Sequence, residues 1–532
     1  MLVSLYLCTW KILYNTDMKK HTFLWMFSLA LLSCEAEKGY TPISQNEVNQ
    51  VVAESPFAMP VISLPAFPNN VLSVMDFGAV NDGSVLSTDA FQSAIDKANA
   101  QGGGVVLVPA GVYLLGPIEL KSNVCLFTEK NSLMLFSTDF SLYPVRDASF
   151  EGLDTKRCQS PISAYNAENI AICGEGVFNG GGDAWRPLKK SKMAAAQWNK
   201  HIKQGGVLSD DGKVWYPTEE AKYAHSLCVD QNVPVGPQTD AEWEHIRSFL
   251  RPVMLNFVSC KNILLDGVCF ENSPAWNLHP LMCENLVLSN LTVRNPWYSQ
   301  NGDGVDVESC KNVLITNCSF DVGDDAICMK SGKNEDGRRR AVPTENVLVN
   351  NCTVYHGHGG FVVGSEMSGD VRNIAVSNCL FIGTDVGLRF KSTRGRGGIV
   401  ENIFINDIYM SDIPNEALLF DLFYGGKGAG EETDEEILAR MGAAVPVPDI
   451  TTPQFRNITI SDVVCKGAKR AVYFNGLPEM KIRNVSLSNI RITSEEGAVF
   501  NQTDGLVLDN VQITNTEGEP IRMTAVDNLI RK

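Results

Sequence analysis

Short apolar runs that begin with an asparagine recur along most of the chain. Where no longer segment intervenes, their spacing is roughly 23–34 residues, which is the period of a solenoid. We expect each repeat to form one coil of two or three short strands and to bury its apolar side chains against the coils on either side. The pattern asparagine–aliphatic–any residue–aliphatic, or a close variant, begins at Asn123, Asn169, Asn262, Asn285, Asn312, Asn346, Asn373, Asn402, Asn457 and Asn484.

The repeat predicts an all-β protein, a single solenoid over residues 71–532. We interpret the asparagines as a structural ladder in which each side-chain amide bonds to the next, and we assign them no chemistry. A short helix is predicted over residues 87–100, before glycines at 102–104 and a buried strand at 105–109. This helix is expected to cap the open end of the solenoid, where exposed strand edges would otherwise pair with other chains.

Two segments, residues 180–251 and 425–455, interrupt the period. Insertions in a solenoid emerge as loops on one face, which is often the binding face. The tryptophans of the first insertion have two interpretations, since they can stack on sugar rings or pack the loop onto the solenoid. They are Trp185, Trp198, Trp215 and Trp243.

The N-terminal segment has the pattern of an export signal. Residues 18–20 are Met-Lys-Lys, residues 23–32 form an apolar core too short to span a bilayer, and Leu-Leu-Ser-Cys ends at Cys34. This ending resembles the lipobox of bacterial lipoproteins and predicts lipidation of Cys34 and a location in the bacterial cell envelope; a plain signal peptide is the alternative. Residues 1–17 do not suit a signal and suggest an upstream start codon. Residues 35–70 are interpreted as a linker or irregular entry.

Charge and cysteine content narrow the possible partners. The formal net charge of −16 disfavours a nucleic-acid partner, but a polyanionic sugar remains possible where cations are concentrated, as at Arg389, Lys391, Arg394 and Arg396. The 15 cysteines allow a disulfide framework. We favour small buried residues stacked at one repeat position. The set that suggests this is Cys269, Cys318, Cys352 and Cys379.

Four polar clusters on successive repeats carry the candidate chemistry. They are Asn-Gly-Asp at 301–303, Gly-Asp-Asp at 323–325, Gly-His-Gly at 357–359 and Arg-Phe-Lys at 389–391. Stacking of coils would bring them into one groove, lined by three carboxylates, one histidine and two cations. Glycine at 323 permits a bend, so that both aspartates after it can face this groove.

The carboxylates are Asp303, Asp324 and Asp325. Three carboxylates this close cannot all ionise freely, so the pKa of at least one is expected to rise. A protonated acid opposite a water-activating base is the apparatus of an inverting glycosidase. A calcium site, or acids in solvated turns, are alternatives that spacing alone leaves open.

The histidine and the two cations have similar double interpretations. His358 lies between glycines that let a substrate approach, although a lone histidine is often simply packed. Arg389 and Lys391 are two residues apart on a predicted strand and so share a face, where they suit a substrate carboxylate. The alternative is that they pair with Asp303 or Asp325.

The four clusters, in this order, resemble the signature motifs of glycoside hydrolase family 28, the polygalacturonases. The family pattern is Asn-Thr-Asp, Gly-Asp-Asp, Gly-His-Gly and Arg-Ile-Lys, and residues 76–83 and 102–111 also match, so the resemblance covers about residues 71–525. Gly302 and Phe390 depart from the pattern. Neither removes an ionisable group, so we expect activity to be retained, with a looser first motif at Gly302.

The resemblance implies a right-handed parallel β-helix and an inverting hydrolase of α-galacturonosidic bonds in pectic polysaccharides. It implies no metal or other cofactor, and we expect a monomer. It assigns proton donation to the leaving oxygen to Asp324, and the holding and deprotonation of water to Asp303 and Asp325. His358 would tune the acid or bond the sugar. The substrate-binding residues would be Arg389, Lys391 and Asn301.

The mode of cleavage is expected to be exo. Residues 364–369 and 383–387 resemble bacterial exo-acting members of the family, and the insertion at 180–251 can wall off one end of the groove. Release of terminal galacturonic acid follows from both. Two other functions fit the same fold, namely a calcium-dependent pectate-lyase-like β-eliminase and a non-catalytic glycan-binding β-helix on the cell surface.

Overall fold

Parallel pairing in register joins the strands that the asparagine repeats predict. In the middle of the chain, Leu286 pairs with Val313, which pairs with Val347 one coil further on. Twenty-nine strands join in this way into one continuous sheet. The fold is a right-handed parallel β-helix, which confirms the predicted class.

The structure is a computed structural model that describes residues 40–532 except 231, 426–438, 440, 441 and 443. Residues 42–532 form one structural unit, whose fold is given below. The predicted signal and Cys34 lie outside the described residues, as does most of the insertion predicted at 425–455. In the described part of the chain, no helix is both long enough and apolar enough to cross a membrane.

The elements that precede the first insertion are two helices, the N-terminal coils and one hairpin. They are α1 (Gln45–Ala53), β1 (Val71–Ser73), β2 (Asp82–Leu86), α2 (Thr88–Ala100), β3 (Gly104–Val108), β4 (Gly111–Leu115), β5 (Ile118–Glu119), β6 (Val124–Thr128), β7 (Ser132–Phe136), β8 (Val145–Phe150), β9 (Leu153–Cys158), β10 (Ile162–Tyr165), β11 (Glu168–Gly174) and β12 (Val177–Asn179).

The described residues of the first insertion form two small antiparallel sheets and three α-helices. Its elements are β13 (Leu188–Lys189), α3 (Ala195–His201), β14 (Val207–Leu208), β15 (Val214–Tyr216), α4 (Glu219–Ser226), β16 (Cys228–Asp230), β17 (Val233–Pro234) and α5 (Asp240–His245).

The coils then continue without a long break to residue 425 and resume at β34. Their elements are β18 (Leu255–Val258), β19 (Lys261–Asp266), β20 (Cys269–Glu271), β21 (Leu278–Leu281), β22 (Glu284–Ser289), β23 (Thr292–Arg294), β24 (Val305–Glu308), β25 (Lys311–Thr316), β26 (Ser319–Asp321), β27 (Asp325–Lys330), α6 (Asn334–Arg340), β28 (Thr344–Asn350), β29 (Thr353–Val354), β30 (Gly359–Val363), β31 (Val371–Ile382), β32 (Leu388–Lys391), β33 (Ile399–Asp421), β34 (Gln454–Asn475), β35 (Ile482–Asp527) and β36 (Ile530–Arg531).

The core is a set of apolar columns that run along the helix axis. One column passes through β24, β27, β30, β32 and β33, because each strand points alternate side chains inward and the register repeats. Its aromatic end stacks tightly, with the rings of Phe390 and Phe420 4.2 Å apart and nearly parallel. Its members are Val307, Met329, Val363, Phe390 and Phe420.

The asparagine ladder is confirmed in two runs, from Asn123 to Asn402 and from Asn457 to Asn484, with no ladder bond between the described residues Asn402 and Asn457. The Nδ2 atoms of Asn169, Asn262, Asn285, Asn312, Asn346, Asn373, Asn402 and Asn484 each donate to the Oδ1 atom of the preceding ladder asparagine at 3.0–3.2 Å. These asparagines have φ between 52° and 59°, the left-handed region that few other residues tolerate. Asparagine is therefore required at these corners both for its backbone conformation and for its amide.

The prediction about cysteines is confirmed at three positions and wrong at one. The thirteen cysteines that the structure describes are free thiols. Cys318, Cys352 and Cys379 occupy the same buried position of successive coils, as expected. Cys269 instead pairs through Thr292 with Ser319, one position later in the coil, so its side chain faces outward and is partly exposed.

The N-terminal region differs in part from the sequence prediction. The cap is confirmed as α2, but the irregular entry predicted over residues 35–70 is wrong at its centre, where α1 lies. A capping box begins α1, since Ser44 Oγ accepts from the Glu47 amide and Glu47 Oε2 accepts from the Ser44 amide. Only Val48 of α1 is fully buried, against the outer face of the coils, so the helix carries little apolar periodicity.

The tryptophans of the first insertion pack the loop. Trp185, Trp198 and Trp215 are almost fully buried, and Trp243 packs beside the Trp185 cluster. Of the two interpretations, the structure supports packing. The antiparallel hairpin β8–β9, which also leaves the solenoid, has no counterpart in the sequence prediction.

We predict that Asn312→Ala and Asn312→Gly both destabilise the protein, because each removes two ladder hydrogen bonds worth about 0.5–1.5 kcal/mol apiece. Alanine should be the worse of the two by about 1 kcal/mol, because it is strained at the φ of 59° that glycine adopts freely. Thermal and urea unfolding measure both effects. Equal stability of wild type and both variants would contradict the ladder.

Candidate active site

The four predicted clusters meet at one place on the β-helix. Asp303 lies two residues before β24 and Asp325 begins β27, and the pairing of Val305 with Ile327 sets these aspartates side by side on adjacent coils. One oxygen of each of Asp303, Asp324 and Asp325 lies within 4.8 Å of the others. The structure therefore brings the three predicted carboxylates together.

Glycines around the carboxylates leave room that side chains would fill. Gly357 has φ 153°, and a Cβ there would lie 2.7 Å from the Asp324 carbonyl oxygen. This close approach lets the His358 amide donate to the same carbonyl at 2.8 Å. A Cβ at Gly359 would lie 2.5 Å from Val362 Cγ2 and 3.3 Å from the Arg389 Cβ.

Gly302 does not loosen the first motif, so that expectation is wrong. The residue is buried, and a Cβ at 302 would lie 2.6 Å from the Ser299 Cβ and still closer to its hydroxyl. The hydroxyl is held there by donation to the Pro296 carbonyl at 2.6 Å. Ser299 thus fills the space that a threonine side chain at 302 would need.

Arg389 and Lys391 face the carboxylates, whereas Phe390 between them faces the core. Arg389 Nη1 donates to Asp325 Oδ1 at 3.1 Å, and Lys391 Nζ donates to Asp325 Oδ2 at 2.6 Å. The two cations are therefore paired with Asp325, which is the alternative to substrate binding that the sequence left open. Both side chains still line the cavity, so an anionic ligand that enters it can reach them.

His358 lies against Asp324. Its Nδ1 is 3.1 Å from Asp324 Oδ1, and its side chain is 15% exposed. Burial is the largest single influence and lowers the pKa of His358, but the nearby carboxylates, chiefly through the charge and hydrogen bond of Asp324, together raise this pKa above its ordinary value. The protonated form of the ring is therefore favoured beside Asp324.

The three carboxyl groups do not share one protonation state. Burial raises the pKa of Asp303 well above its ordinary value, and the charges of Asp306 and Asp324 raise it further. Burial acts on Asp324 and Asp325 too, but His358 lowers the pKa of Asp324, and Lys391 and Arg389 lower that of Asp325. The protonated form is thus favoured at Asp303, and the ionised form is favoured at Asp324 and Asp325.

The pKa shifts confirm the prediction of one raised carboxyl pKa, but they do not favour a protonated Asp324 in the free protein. At least one carboxyl was expected to have a raised pKa, and Asp303 has, although burial is a larger cause than repulsion. Asp324, to which the resemblance assigns proton donation, is ionised and paired with His358 in the free protein. The Asp324 Oδ1 atom accepts from the Asp325 amide at 3.0 Å and lies 3.1 Å from His358 Nδ1, the neighbouring side-chain group that can give it a proton.

The sequence analysis missed a buried charge network beside the carboxylates. Lys330 Nζ donates to Glu366 Oε2 at 2.9 Å, lies 3.6 Å from Asp306 and faces the ring of Trp276. Lys330 ends the strand that Asp325 begins, with Met329 pointing into the core, so strand alternation could have placed it on the groove face. Glu366 lies in the segment 364–369 that resembled exo-acting proteins, but its contact with Lys330 depends on the next coil.

A cavity of about 280 Å³ contains all the predicted site residues. One wall comes from outside the coils, since Glu151 at the tip of hairpin β8–β9 and Asn232 of the first insertion both line it. Glu151 accepts from the side chain of Asn232 at 2.7 Å and from its amide at 3.0 Å. The cavity is also lined by Lys330, Glu366 and Tyr424.

Asn301 lines the cavity, but its side chain is already engaged. Its Oδ1 accepts from Asn232 Nδ2 at 3.1 Å and from Arg251 Nη2 at 3.0 Å. The predicted substrate-binding residue therefore also fastens the insertion to the first motif.

The carboxylates offer little to a metal ion. Their oxygens are close enough together for one cation. Arg389 and Lys391, however, occupy both oxygens of Asp325, and His358 occupies one of Asp324. Oxygen ligands for calcium would have to be released from cations first.

Two family profiles match the chain. The profile described as Glycosyl hydrolases family 28 matches residues 247–502, and one described as Rhamnogalacturonase A/epimerase, pectate lyase-like, matches residues 71–170. The four clusters all lie within the first of these ranges.

Curated relatives extend the similarity over most of the chain. An exo-poly-alpha-D-galacturonosidase of Dickeya chrysanthemi is 28% identical over 458 residues, 83% of this chain and 71% of the relative. A probable polygalacturonase of Vitis vinifera is 26% identical over 435 residues, 79% of this chain and 74% of the relative.

Solved structures agree with the fold. A hyperthermoactive exopolygalacturonase from Thermotoga maritima superimposes with a TM-score of 0.64 at 28% identity, and the match covers 92% of this chain and 96% of that one. A family 28 exopolygalacturonase of Yersinia enterocolitica has a TM-score of 0.66 at 22% identity, covering 87% and 78% of the two chains.

We predict that Gly302→Thr, which restores the residue of the common motif, lowers stability by about 1–3 kcal/mol because it overpacks against Ser299. The double variant Ser299→Gly, Gly302→Thr removes the obstructing side chain and should recover most of the loss. Thermal unfolding, with activity on pectic substrates alongside, measures both. A single variant as stable and active as wild type would refute the close packing.

Proposed function

This chain belongs to glycoside hydrolase family 28, and we propose that it removes galacturonic acid from the ends of pectic chains by hydrolysis with inversion. It is a pectin-degrading glycoside hydrolase. The observation that carries the proposed mechanism is the set of three carboxylates within 4.8 Å, with His358, Arg389 and Lys391 against them.

Substrate binding begins with an exchange of ion pairs. The carboxylate of a galacturonate unit competes with Asp325 for Arg389 and Lys391, which present a fork and a point charge at the cavity wall. Tyr424 packs over both cations, with their charged atoms 5.1–5.7 Å from its ring centre. The cations are thus held in place when they change partners.

The exchange prepares both proton transfers. Lys391 and Arg389 lower the pKa of Asp324 and Asp325, so neutralising the two cations with a substrate carboxylate raises both pKa values. Asp325 becomes a stronger base toward water, which the protonated Asp303 helps to hold. Asp324 becomes able to take the His358 Nδ1 proton and pass it to the leaving oxygen.

Inversion places water and leaving group on opposite faces of the sugar. Inverting glycosidases usually hold their two carboxyl groups about 6.5–9.5 Å apart. The nearest oxygens here are closer than that. We infer inversion from the three-acid arrangement, in which Asp303 and Asp325 can hold the water together without covalent attack by either.

The proposed exo mode is supported by a wall that closes the groove on one side of the carboxylates. The Lys333 amide donates to the Gly152 carbonyl at 2.9 Å, so the tip of hairpin β8–β9 reaches across to the loop after β27. With Glu151 and Asn232, this contact closes the groove on one side of the carboxylates. The relatives from Dickeya chrysanthemi and Thermotoga maritima, both named as exo-acting, support the same mode.

We predict that wild-type protein releases only monomeric galacturonic acid from polygalacturonate at early times. Mass analysis and chromatography of the products test this, and an early ladder of mid-size oligomers would overturn it. A variant with hairpin residues 149–154 replaced by a two-residue turn should produce oligomers. If this variant does not fold, Glu151→Ala with Asn232→Ala tests the same wall. The matched control shortens the turn at 210–212, which lies outside the cavity.

Asp324→Asn should lower kcat about 10²–10⁴-fold, because the asparagine cannot pass a proton to the leaving oxygen. Wild-type activity should be unchanged by a calcium chelator, and the product should not absorb in the ultraviolet as the unsaturated product of a lyase does. Reducing-end release and absorbance measure these outcomes. Full activity of the variant would remove Asp324 from the mechanism, and loss on chelation would favour a calcium-dependent eliminase.

Export as a lipoprotein is a separate proposal, supported by the basic start, apolar core and Leu-Leu-Ser-Cys ending of residues 18–34. Metabolic labelling with a fatty acid in a bacterial host should label the wild-type protein and leave Cys34→Ser unlabelled. Labelling of neither protein would favour a plain signal peptide.

A further inference from the structure

Asp385 lies beside the active site in the connection between β31 and β32. Its amide donates to the Gly357 carbonyl at 2.8 Å, and its carbonyl accepts from the Asn415 amide at 2.9 Å. The backbone of Asp385 is thus fixed by the coils on both sides. Its carboxylate is about one-third exposed and points toward His358.

The two ring nitrogens of His358 face two different carboxylates. Nδ1 lies 3.1 Å from Asp324 Oδ1, and Nε2 lies 3.7 Å from Asp385 Oδ2. A neutral imidazole carries a proton on only one nitrogen. A ring between two carboxylates is favoured as the imidazolium, which presents an N–H to each.

We propose that Asp385 is a positioning residue for the reaction: its carboxylate holds His358 through Nε2 and so keeps the Nδ1–H directed at Asp324. The proposal rests on the proposed function, because it supplies the proton that Asp324 passes to the leaving oxygen. Asp385 need not touch the scissile bond to do this.

Each proton in the proposed reaction has a named donor and acceptor. The His358 Nδ1 proton moves to Asp324, and Asp324 gives it to the glycosidic oxygen as the bond to the anomeric carbon breaks. The proton taken from the attacking water remains on Asp325 until it is released to solvent. His358 regains one proton from solvent, and Asp385 favours that step by stabilising the cation.

The charges around His358 fix the sign of the pH effect. Burial and the charge of Arg389 lower the pKa of His358, whereas Asp324 and Asp385 raise it, with the larger contribution from Asp324. Removing the Asp385 charge therefore lowers the pKa of His358. The protonated ring is then lost at a lower pH, so the alkaline limb of the pH–rate profile moves toward acid.

A second histidine–aspartate pair on the same coil provides a matched control. His356 Nδ1 lies 2.9 Å from Asp321 Oδ1, and both side chains are about half exposed. This pair lies outside the cavity, so Asp321→Asn removes a carboxylate from a histidine without touching the proposed proton path.

The test compares pH profiles of kcat and KM for Asp385→Asn, Asp385→Glu and Asp321→Asn. Asp385→Asn should lower kcat more than it changes KM and should move the alkaline limb of kcat toward acid by about 0.5–1 pH unit, less than a fully buried pair would give. Asp385→Glu keeps the charge and should restore the limb, and Asp321→Asn should match wild type. An unmoved limb in Asp385→Asn would overturn the proposal, even if activity fell uniformly.

A second measurement does not depend on the substrate. In protein labelled with ¹⁵N-histidine, NMR titration of the His358 ring, assigned with His358→Gln, should show a lower pKa in Asp385→Asn than in wild type and no change in Asp321→Asn. If wild type cleaves no pectic substrate, the proposed function fails while this titration still decides whether Asp385 controls the ring. An unchanged His358 titration in Asp385→Asn would contradict the positioning role.

Discussion

In-register stacking of one coil on the next is the constraint on which the whole site depends. Parallel pairing sets Val305 beside Ile327 and Val362 beside Arg389, so residues far apart in the sequence become neighbours. The asparagine ladder and the apolar columns fix this register, because a slip of one residue would turn core side chains outward. Asp303 and Asp325 meet because their coils cannot slide.

The same stacking brings the charged side chains of the site together as ion pairs. Asp325 is bound by Arg389 and Lys391, Asp324 by His358, and Glu366 by Lys330, so few of these groups ionise independently. An anionic substrate that takes Arg389 and Lys391 changes the pKa values of the carboxylates together. In the proposed mechanism, binding of a carboxylated sugar and proton transfer are therefore coupled through the two cations.

Local patterns predicted what depends on the period of the coils, and missed what depends on contacts between distant segments. The asparagine repeats and the alternation in 389–391 predicted a solenoid of β-strands and one groove for six site residues, whereas the right-handed parallel β-helix was implied by the family resemblance. Hairpin β8–β9 was missed because its strands are polar and irregular, and because its tip acts through contacts with distant residues, namely Lys333 and Asn232. The lowered pKa of Asp324 could not be predicted from the sequence either, because it depends on the distance to His358 rather than on either residue alone.

The stereochemistry of the first product tests the account most directly, because three closely spaced carboxylates are compatible on distance with more than one mechanism. Proton NMR during the first turnovers on an α-linked galacturonate oligomer resolves the anomeric signals before they equilibrate. Hydrolysis with inversion predicts β-galacturonic acid as the first product, formed by attack of water opposite the leaving group. Initial α-galacturonic acid would show retention, an unsaturated product would show elimination, and either would contradict the assignment of Asp303, Asp324 and Asp325.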